Sequence, residues 1–277
     1  MSSPKTALVL RATGAQGRGA VSHLLAHGWR VHALVRDPTD ARALSLEKLG
    51  AKLFKGSLST PSLTNTAPST SSSTITGLDA AIAGCTALFL AQMPNWTPGG
   101  EAAEGAAILA AAQAAGVQHV VHATTLSLND PEHAAKMAGT IVAPAVLGKG
   151  EVEELVKASG ITYTILRPGW FMTNLTLPLV GAMFPQLVAE GRFVHSYGEG
   201  CVLPLVDPDD VGAFAAAAVE DPARFGGRTI AVAGEKLGIA EILKEIEKVG
   251  GKEFEIVART AEEIERTKGE PIVAGSC

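Results

Sequence analysis

LVLRATGAQGRGA, residues 8–20, decides how the rest of the chain is read. An apolar run breaks at Arg11 into a turn built on Thr13-Gly14-Ala15-Gln16-Gly17, and an amphipathic helix opens directly behind it. A strand that feeds a helix through glycines is the context a dinucleotide loop requires. Glycine lets the backbone approach a pyrophosphate, whose charge is held by amides at the helix N-terminus. Strand-to-helix turns also carry glycine for steric reasons alone, so the pair Gly14 and Gly17 is a weak signal by itself. Arg11 stands where the first glycine of such a loop belongs. A bulky residue there strains the turn if its φ is positive, yet its guanidinium can reach the adenosine phosphates of a nucleotide.

Outward from the loop, β-branched runs alternate with longer Ala/Leu-rich segments, the pattern of a parallel sheet covered by helices. Strands are expected at 5–10, 30–35, 51–55, 86–91, 118–123 and 161–166, and helices at 16–27, 40–49, 77–83, 101–115 and 145–159. Several of these helices end in glycine, as C-caps should. The order loosens after residue 167, where Pro168, Pro178 and Pro185, an irregular FVHSYGEGC run and VLPLV precede a helix at 208–219, a strand at 228–233 and two charged helices. The expected fold is α/β: a doubly wound parallel Rossmann sheet over 1–167, then a small α+β substrate-binding region over 168–277, parts of which can pack back on the sheet. Residues 57–76, SLSTPSLTNTAPSTSSSTIT, are too polar and turn-prone for a core and are expected to form a surface insertion.

The second strand sharpens the ligand. At its carboxyl end, about 20 residues beyond the loop, an NAD-binding chain places an acid for the ribose 2′-hydroxyl. Here Arg36 stands there, and a guanidinium suits a 2′-phosphate, which favours NADP(H). The other reading of Arg36 is a turn residue beside Asp37-Pro38.

Bulk composition narrows the partners. The chain has 277 residues, 47% of them hydrophobic, enough for a sizeable core. With 23 basic against 28 acidic residues, net −5, it offers no footprint for nucleic acid and no anchor for anionic lipid. Short apolar stretches and a polar start point to a cytoplasmic protein with no membrane segment. Cys85, Cys201 and Cys277 follow no metal-binding or disulfide spacing, so reduced thiols and no metal are expected. A small-molecule substrate is the expected partner, with a homodimer or a regulatory protein as further possibilities.

TGAQG at 13–17, VRDP at 35–38, KGEVEELVKASGITYTILRPGWFMTNL at 149–175 and LPLVDPDDVG at 203–212 together resemble the NmrA-like family of atypical short-chain dehydrogenase/reductases. The resemblance spans most of the chain and implies an extended Rossmann domain, a small C-terminal substrate domain and NADP(H) as ligand. It also implies that Lys149 lies near the nicotinamide ribose and that the ILRPGWF turn lines the cleft. Three positions depart from the pattern. Arg11 replaces the first glycine. Ala145 stands four residues before Lys149, where the broader superfamily carries its catalytic tyrosine. Ser57 replaces an aspartate that contacts adenine in relatives.

Cofactor-binding candidates are therefore Arg11, Thr13, Gly14, Gln16, Gly17, Arg36, Gln92, Thr124, Lys149 and Pro168. For chemistry, Lys149 can hydrogen-bond ribose hydroxyls and lower a barrier electrostatically, or simply pair with Glu153 one turn on. Thr124, Thr125 and Ser127 follow strand 118–123, where a doubly wound sheet places its ligand loops. Trp170, Phe171 and Asn174 can form an apolar wall with one polar handle, or pack as core. His195 or Tyr197 can supply the missing acid, or be structural. Asp207, Asp209 and Asp210 read as an N-cap and first-turn charges. Three functions fit: an NADPH-dependent reductase of a small apolar enone, quinone or aldehyde; an NADP(H)-binding redox sensor without catalysis; or a non-redox isomerase or cyclase on the same fold.

Overall fold

The computed structural model describes residues 5–58, 75–132, 135 and 143–267. Strands β1 (Thr6–Val9), β2 (Arg30–Val35), β3 (Lys52–Lys55), β4 (Ala87–Ala91), β5 (His119–Ala123) and β6 (Thr162–Pro168) alternate with helices α1 (Ala15–Ala26), α2 (Ala41–Leu49), α3 (Leu78–Ile82), α4 (Gly100–Ala114) and α5 (Ala143–Ala158). Every residue of β1, β4 and β5 is buried, because helices cover both faces of the sheet.

Beyond β6 follow β7 (Trp170–Phe171), α6 (Leu179–Met183), α7 (Pro185–Glu190), β8 (Arg192–His195) and β9 (Val202–Val206). The chain then continues through α8 (Pro208–Glu220), α9 (Pro222–Phe225), β10 (Arg228–Val232), β11 (Glu235–Gly238), α10 (Ile239–Gly250), β12 (Glu255–Ala258) and α11 (Ala261–Thr267). Strand β10 returns to pair in parallel with β6, giving a seven-stranded sheet of order β10-β6-β5-β4-β1-β2-β3. Strand order reverses between β1 and β4, the switch point at which doubly wound sheets open a crevice at their carboxyl edge. A three-stranded sheet, β11-β9-β7, and the parallel pair β12-β8 build the smaller region. The FVHSY run, expected as irregular, therefore begins as a strand, because residues 255–258 supply its partner.

Two apolar clusters flank the main sheet. Val9, Leu24, Val31, Phe89 and Val211 pack on the side of α1 and α8. Leu8, Leu88, Leu90, Ile108 and Val152 pack on the side of α4 and α5. Helices α1 and α8 cross backbone to backbone: a Cβ added to Gly212 would lie 2.2 Å from the carbonyl carbon of Gly19. His23 Nε2 and Asp209 Oδ2, 2.9 Å apart, close the crossing.

Cys85 is a free, buried thiol, whereas Cys201 is disulfide-bonded, which corrects the expectation of three reduced cysteines. Residues 59–74, the bulk of the Ser/Thr-rich insertion, lie outside the described residues, and Ser57 and Thr76 at its base pair as an isolated bridge. Among the described residues no helix is long and apolar enough to cross a membrane.

Candidate functional site

Arg11 shapes the loop after β1. Its φ is +49°, and among the described residues it is the one non-glycine residue in that region. The left-handed conformation costs an L-residue about 1–2 kcal/mol that glycine escapes. The turn nevertheless holds, because the Arg11 carbonyl accepts the Gly14 N–H at 2.9 Å. A Cβ on Gly17 would lie 2.3 Å from that same oxygen and 2.8 Å from Ala12 Cα, so only glycine lets α1 start this close to β1. Gly14 caps the helix with no side-chain hydrogen bond, and no acid occupies the first turn. The opening amides and the positive end of the helix dipole are left for an external anion.

Beside this loop lies a cavity of about 510 Å³ whose lining includes Arg11, Thr13, Gly14, Arg36, Arg42 and Ser57. Of its three arginines, Arg42 is committed to Asp40 through bonds of 3.0 and 2.8 Å. That guanidinium holds the Asp40 carboxyl down to about 2. Arg36 is exposed and has no hydrogen bond or ion pair among the described residues. The Arg11 side chain is half-buried, with Nε buried and unpartnered. Burial lowers the affinity of Arg11 for its proton; Glu104 and Glu101 act against that, and Arg36 adds to it. The Gln16 Oε1 atom, at the same helix start, is also buried without a partner.

A second polar cluster occupies the carboxyl ends of β4, β5 and β6. Lys149 Nζ lies 2.7 Å from Glu101 Oε1 and donates to the Gln92 carbonyl at 3.2 Å. Its side chain is 11% exposed and that of Glu101 1%, so this is a buried ion pair and not the surface pair with Glu153 that helical spacing allowed. Burial raises the Glu101 carboxyl above its ordinary range, with Lys149 opposing that shift. The Gln92 amide donates to the Glu101 carbonyl at 2.9 Å and to Glu104 Oε1 at 3.1 Å. Among the described residues, Glu101 Oε2 and Gln92 Oε1 are buried without a hydrogen-bond partner.

Next along the edge, Glu153 is clamped by Arg167 through bonds of 3.0 and 2.6 Å and accepts the Thr124 hydroxyl at 2.8 Å. Burial pushes the Glu153 carboxyl up, but these bonds outweigh it and the net shift is downward. His122, fully buried between the clusters, is driven down to about 4 by burial and is neutral near pH 7.

The predicted residues fall into three groups. Arg11, Thr13, Gly14 and Arg36 line the nucleotide-sized cavity, with Gln16 and Gly17 in the first turn of α1. Gln92 and Lys149 meet in the polar belt, Thr124 joins its neighbouring Glu153–Arg167 part, and Pro168 is buried at the end of β6. Thr125 caps a short helical turn, its hydroxyl accepting from the Ser127 amide at 3.4 Å. Trp170 and Tyr197 instead pack with Phe184, Phe193 and Leu243 in the core of the smaller region. Burial raises the Tyr197 hydroxyl. His195 stacks on Tyr197 with centroids 5.6 Å apart and accepts its backbone N–H at 3.2 Å. Phe171 leans on the main core, and Asn174 lies half-buried in the helical turn Met172–Leu175.

Sequence reasoning missed Glu101, Glu104 and Arg167, and named Glu153 only as a surface partner for Lys149. A signal existed: buried positions of α4 run 101, 104, 105, 108, 109 and 112, one helical stripe in which two glutamates stand in register with Ile108 and Leu109.

Comparison with known proteins agrees with this architecture. An NAD(P)H azoreductase of Xenophilus azovorans is 28% identical over 261 residues, spanning 92% of this chain and 78% of the relative. A (4-alkanoyl-5-oxo-2,5-dihydrofuran-3-yl)methyl phosphate reductase of Streptomyces griseus is 30% identical over 246 residues, spanning 88% of this chain and 74% of the relative. Among solved structures, NmrA, a negative transcriptional regulator in complex with NADP, superposes with a TM-score of 0.70 at 22% identity, covering 98% of this chain and 84% of that one. That last likeness speaks for the fold. The NmrA-like family matches residues 3–272, and the chain belongs to it.

Proposed function

We propose that the protein is an NADP(H)-dependent reductase of a small apolar acceptor of the enone, quinone or aldehyde type. One observation carries this reading: the uncapped start of α1 opens beside a cavity also lined by Arg11 and Arg36, two arginines without ion-pair partners among the described residues. Unpaired guanidiniums beside an open helix N-terminus fit a dinucleotide bearing a third phosphate. The reductase names of both curated relatives support the same class.

In this reading Thr13, Gly14, Gln16 and Gly17 hold the pyrophosphate and Arg36 the 2′-phosphate. Gln92, Thr124, Lys149 and Pro168 serve the nicotinamide half. When bound, the cofactor supplies the hydride. Lys149, held in place by Glu101 at 2.7 Å, directs positive potential at the charge that develops on the acceptor, and the Thr125 hydroxyl orients the reacting group. Half-buried Phe171 and Asn174 shape the acceptor side, while Trp170 and His195 support it from within the smaller region's core. We assign polar assistance to Lys149 and Thr125 ahead of Tyr197, whose ring belongs to an apolar cluster.

A second reading, an NADP(H)-binding regulator without catalysis, is favoured by one feature. Ala145 is buried one turn before Lys149, so no phenol donates there, and the ammonium is already engaged. Saturable NADPH binding with oxidation of NADPH by a member of an enone, quinone and aldehyde panel supports the reductase. Binding without turnover of any panel member supports the regulator, and no saturable binding refutes both.

A further inference from the structure

We infer that Arg11 is a specificity-determining residue of the nucleotide site, forming with Arg36 a two-arginine clamp on the cofactor's 2′-phosphate. The inference rests on the cofactor reading above and goes beyond it, since Arg36 alone satisfies that reading. Three features of this chain support it. First, the backbone at Arg11 is in the left-handed region with φ +49°, a conformation that glycine adopts without strain. Strain of this kind persists where surrounding structure enforces it, and it gathers at ligand sites.

Second, the side chain does not repay that strain inside the protein. Its Nε is buried without a partner, and no hydrogen bond or ion pair engages the guanidinium among the described residues. Glu104 and Glu101 favour its charge electrostatically only. Third, Arg11 and Arg36 line one cavity, and the charge of Arg36 opposes that of Arg11. Two cations held on one cavity wall are relieved by a dianion, and a phosphate monoester carries nearly two charges near pH 7. Arg42, the third arginine there, is neutralised by Asp40 and does not compete. Exposed Arg36 is screened by solvent, whereas half-buried Arg11 acts through less water, so the pair binds a phosphate more strongly than Arg36 alone.

The test is calorimetric titration of the full chain with NADPH, NADH, 2′,5′-ADP and AMP, for the parent, Arg11→Gly, Arg11→Lys and Arg36→Ala. Glycine is at home in the loop conformation, so Arg11→Gly is expected to fold, and a melting curve checks this. The expected result is a weakening of NADPH and 2′,5′-ADP by about tenfold or more in Arg11→Gly, the loss of one charged hydrogen-bonding contact. NADH and AMP should change by less than about threefold, and Arg11→Lys, which keeps charge without the fork, should fall between. Arg11→Gly that weakens NADH as much as NADPH, or neither, overturns the clamp while a discriminating Arg36→Ala leaves the cofactor reading standing. A parent that binds no dinucleotide overturns both.

Discussion

Replacing Lys149 with Met removes the counter-charge of Glu101 while keeping most of the aliphatic volume. Glu101 Oε1 lies 2.7 Å from Nζ, the glutamate side chain is 1% exposed, and its Oε2 already lacks a partner. Stripping one member from a buried pair leaves the other charge uncompensated and costs about 3–5 kcal/mol. For a chain of this size each kcal/mol lowers Tm by roughly 2–4 °C, so a fall of roughly 6–20 °C is expected. The sign of the pH dependence follows from Glu101, whose folded-state carboxyl is raised by burial and rises further without Lys149. A raised acid binds more protons folded than unfolded, so stability falls as pH climbs from the ordinary carboxylate range through the folded value. The deficit of Lys149→Met should therefore be small near pH 4 and largest near pH 8. Glu101→Gln should be costly too, and the double variant Lys149→Met/Glu101→Gln should cost well under the sum of the singles. Urea denaturation of all four proteins at pH 5 and pH 8, followed by circular dichroism, measures this. Additive singles with a pH-independent deficit would refute a buried ion pair. The same data are the control for any kinetic assay of Lys149 variants, because lost stability imitates lost catalysis.

Gly212→Ala should destabilise the fold by about 1–3 kcal/mol or more, because the new Cβ meets the backbone of Gly19 and Ala20 at 2.2 and 2.3 Å; thermal melting reads it. Arg167→Met should cost about 3 kcal/mol near pH 7 by removing the two-pronged partner of the buried Glu153 carboxylate, which leaves it only the looser Lys157 contact at 4.0 Å and the Thr124 hydroxyl. Because the folded carboxyl of Glu153 is depressed, its contribution is present above the unfolded value and lost as pH falls through the folded one, so the gap between parent and variant should close in acid.

Apolar runs bounded by glycine were enough to place the strands of the main sheet, but not β7, β8, β11 and β12 of the smaller region. Those expected at 30–35 and 51–55 appear as Arg30–Val35 and Lys52–Lys55, since a strand buried on both faces has few alternatives. Position 11 was legible as an anomaly, but the sign of its φ is a property of the folded turn. Lys149 was legible as a candidate and its ion-pair partner was not, because Glu101 lies 48 residues away and, near the start of a helix, looks like an acid placed for the dipole. Tyr197 and His195 were candidates by chemistry. Their burial among Phe184, Phe193 and Leu243 depends on β8, α6, α7 and α10 meeting, which local pattern does not encode.

Titration of the purified protein with NADPH and NADH, beside its Arg36→Ala variant, tests the central claim most directly. Loss of a charged contact to phosphate is worth about 1.5–3 kcal/mol. Saturable NADPH binding at least about tenfold tighter than NADH is therefore expected, with that preference largely lost in Arg36→Ala. Absence of saturable binding, or equal affinity for the two cofactors that Arg36→Ala leaves unchanged, would contradict it.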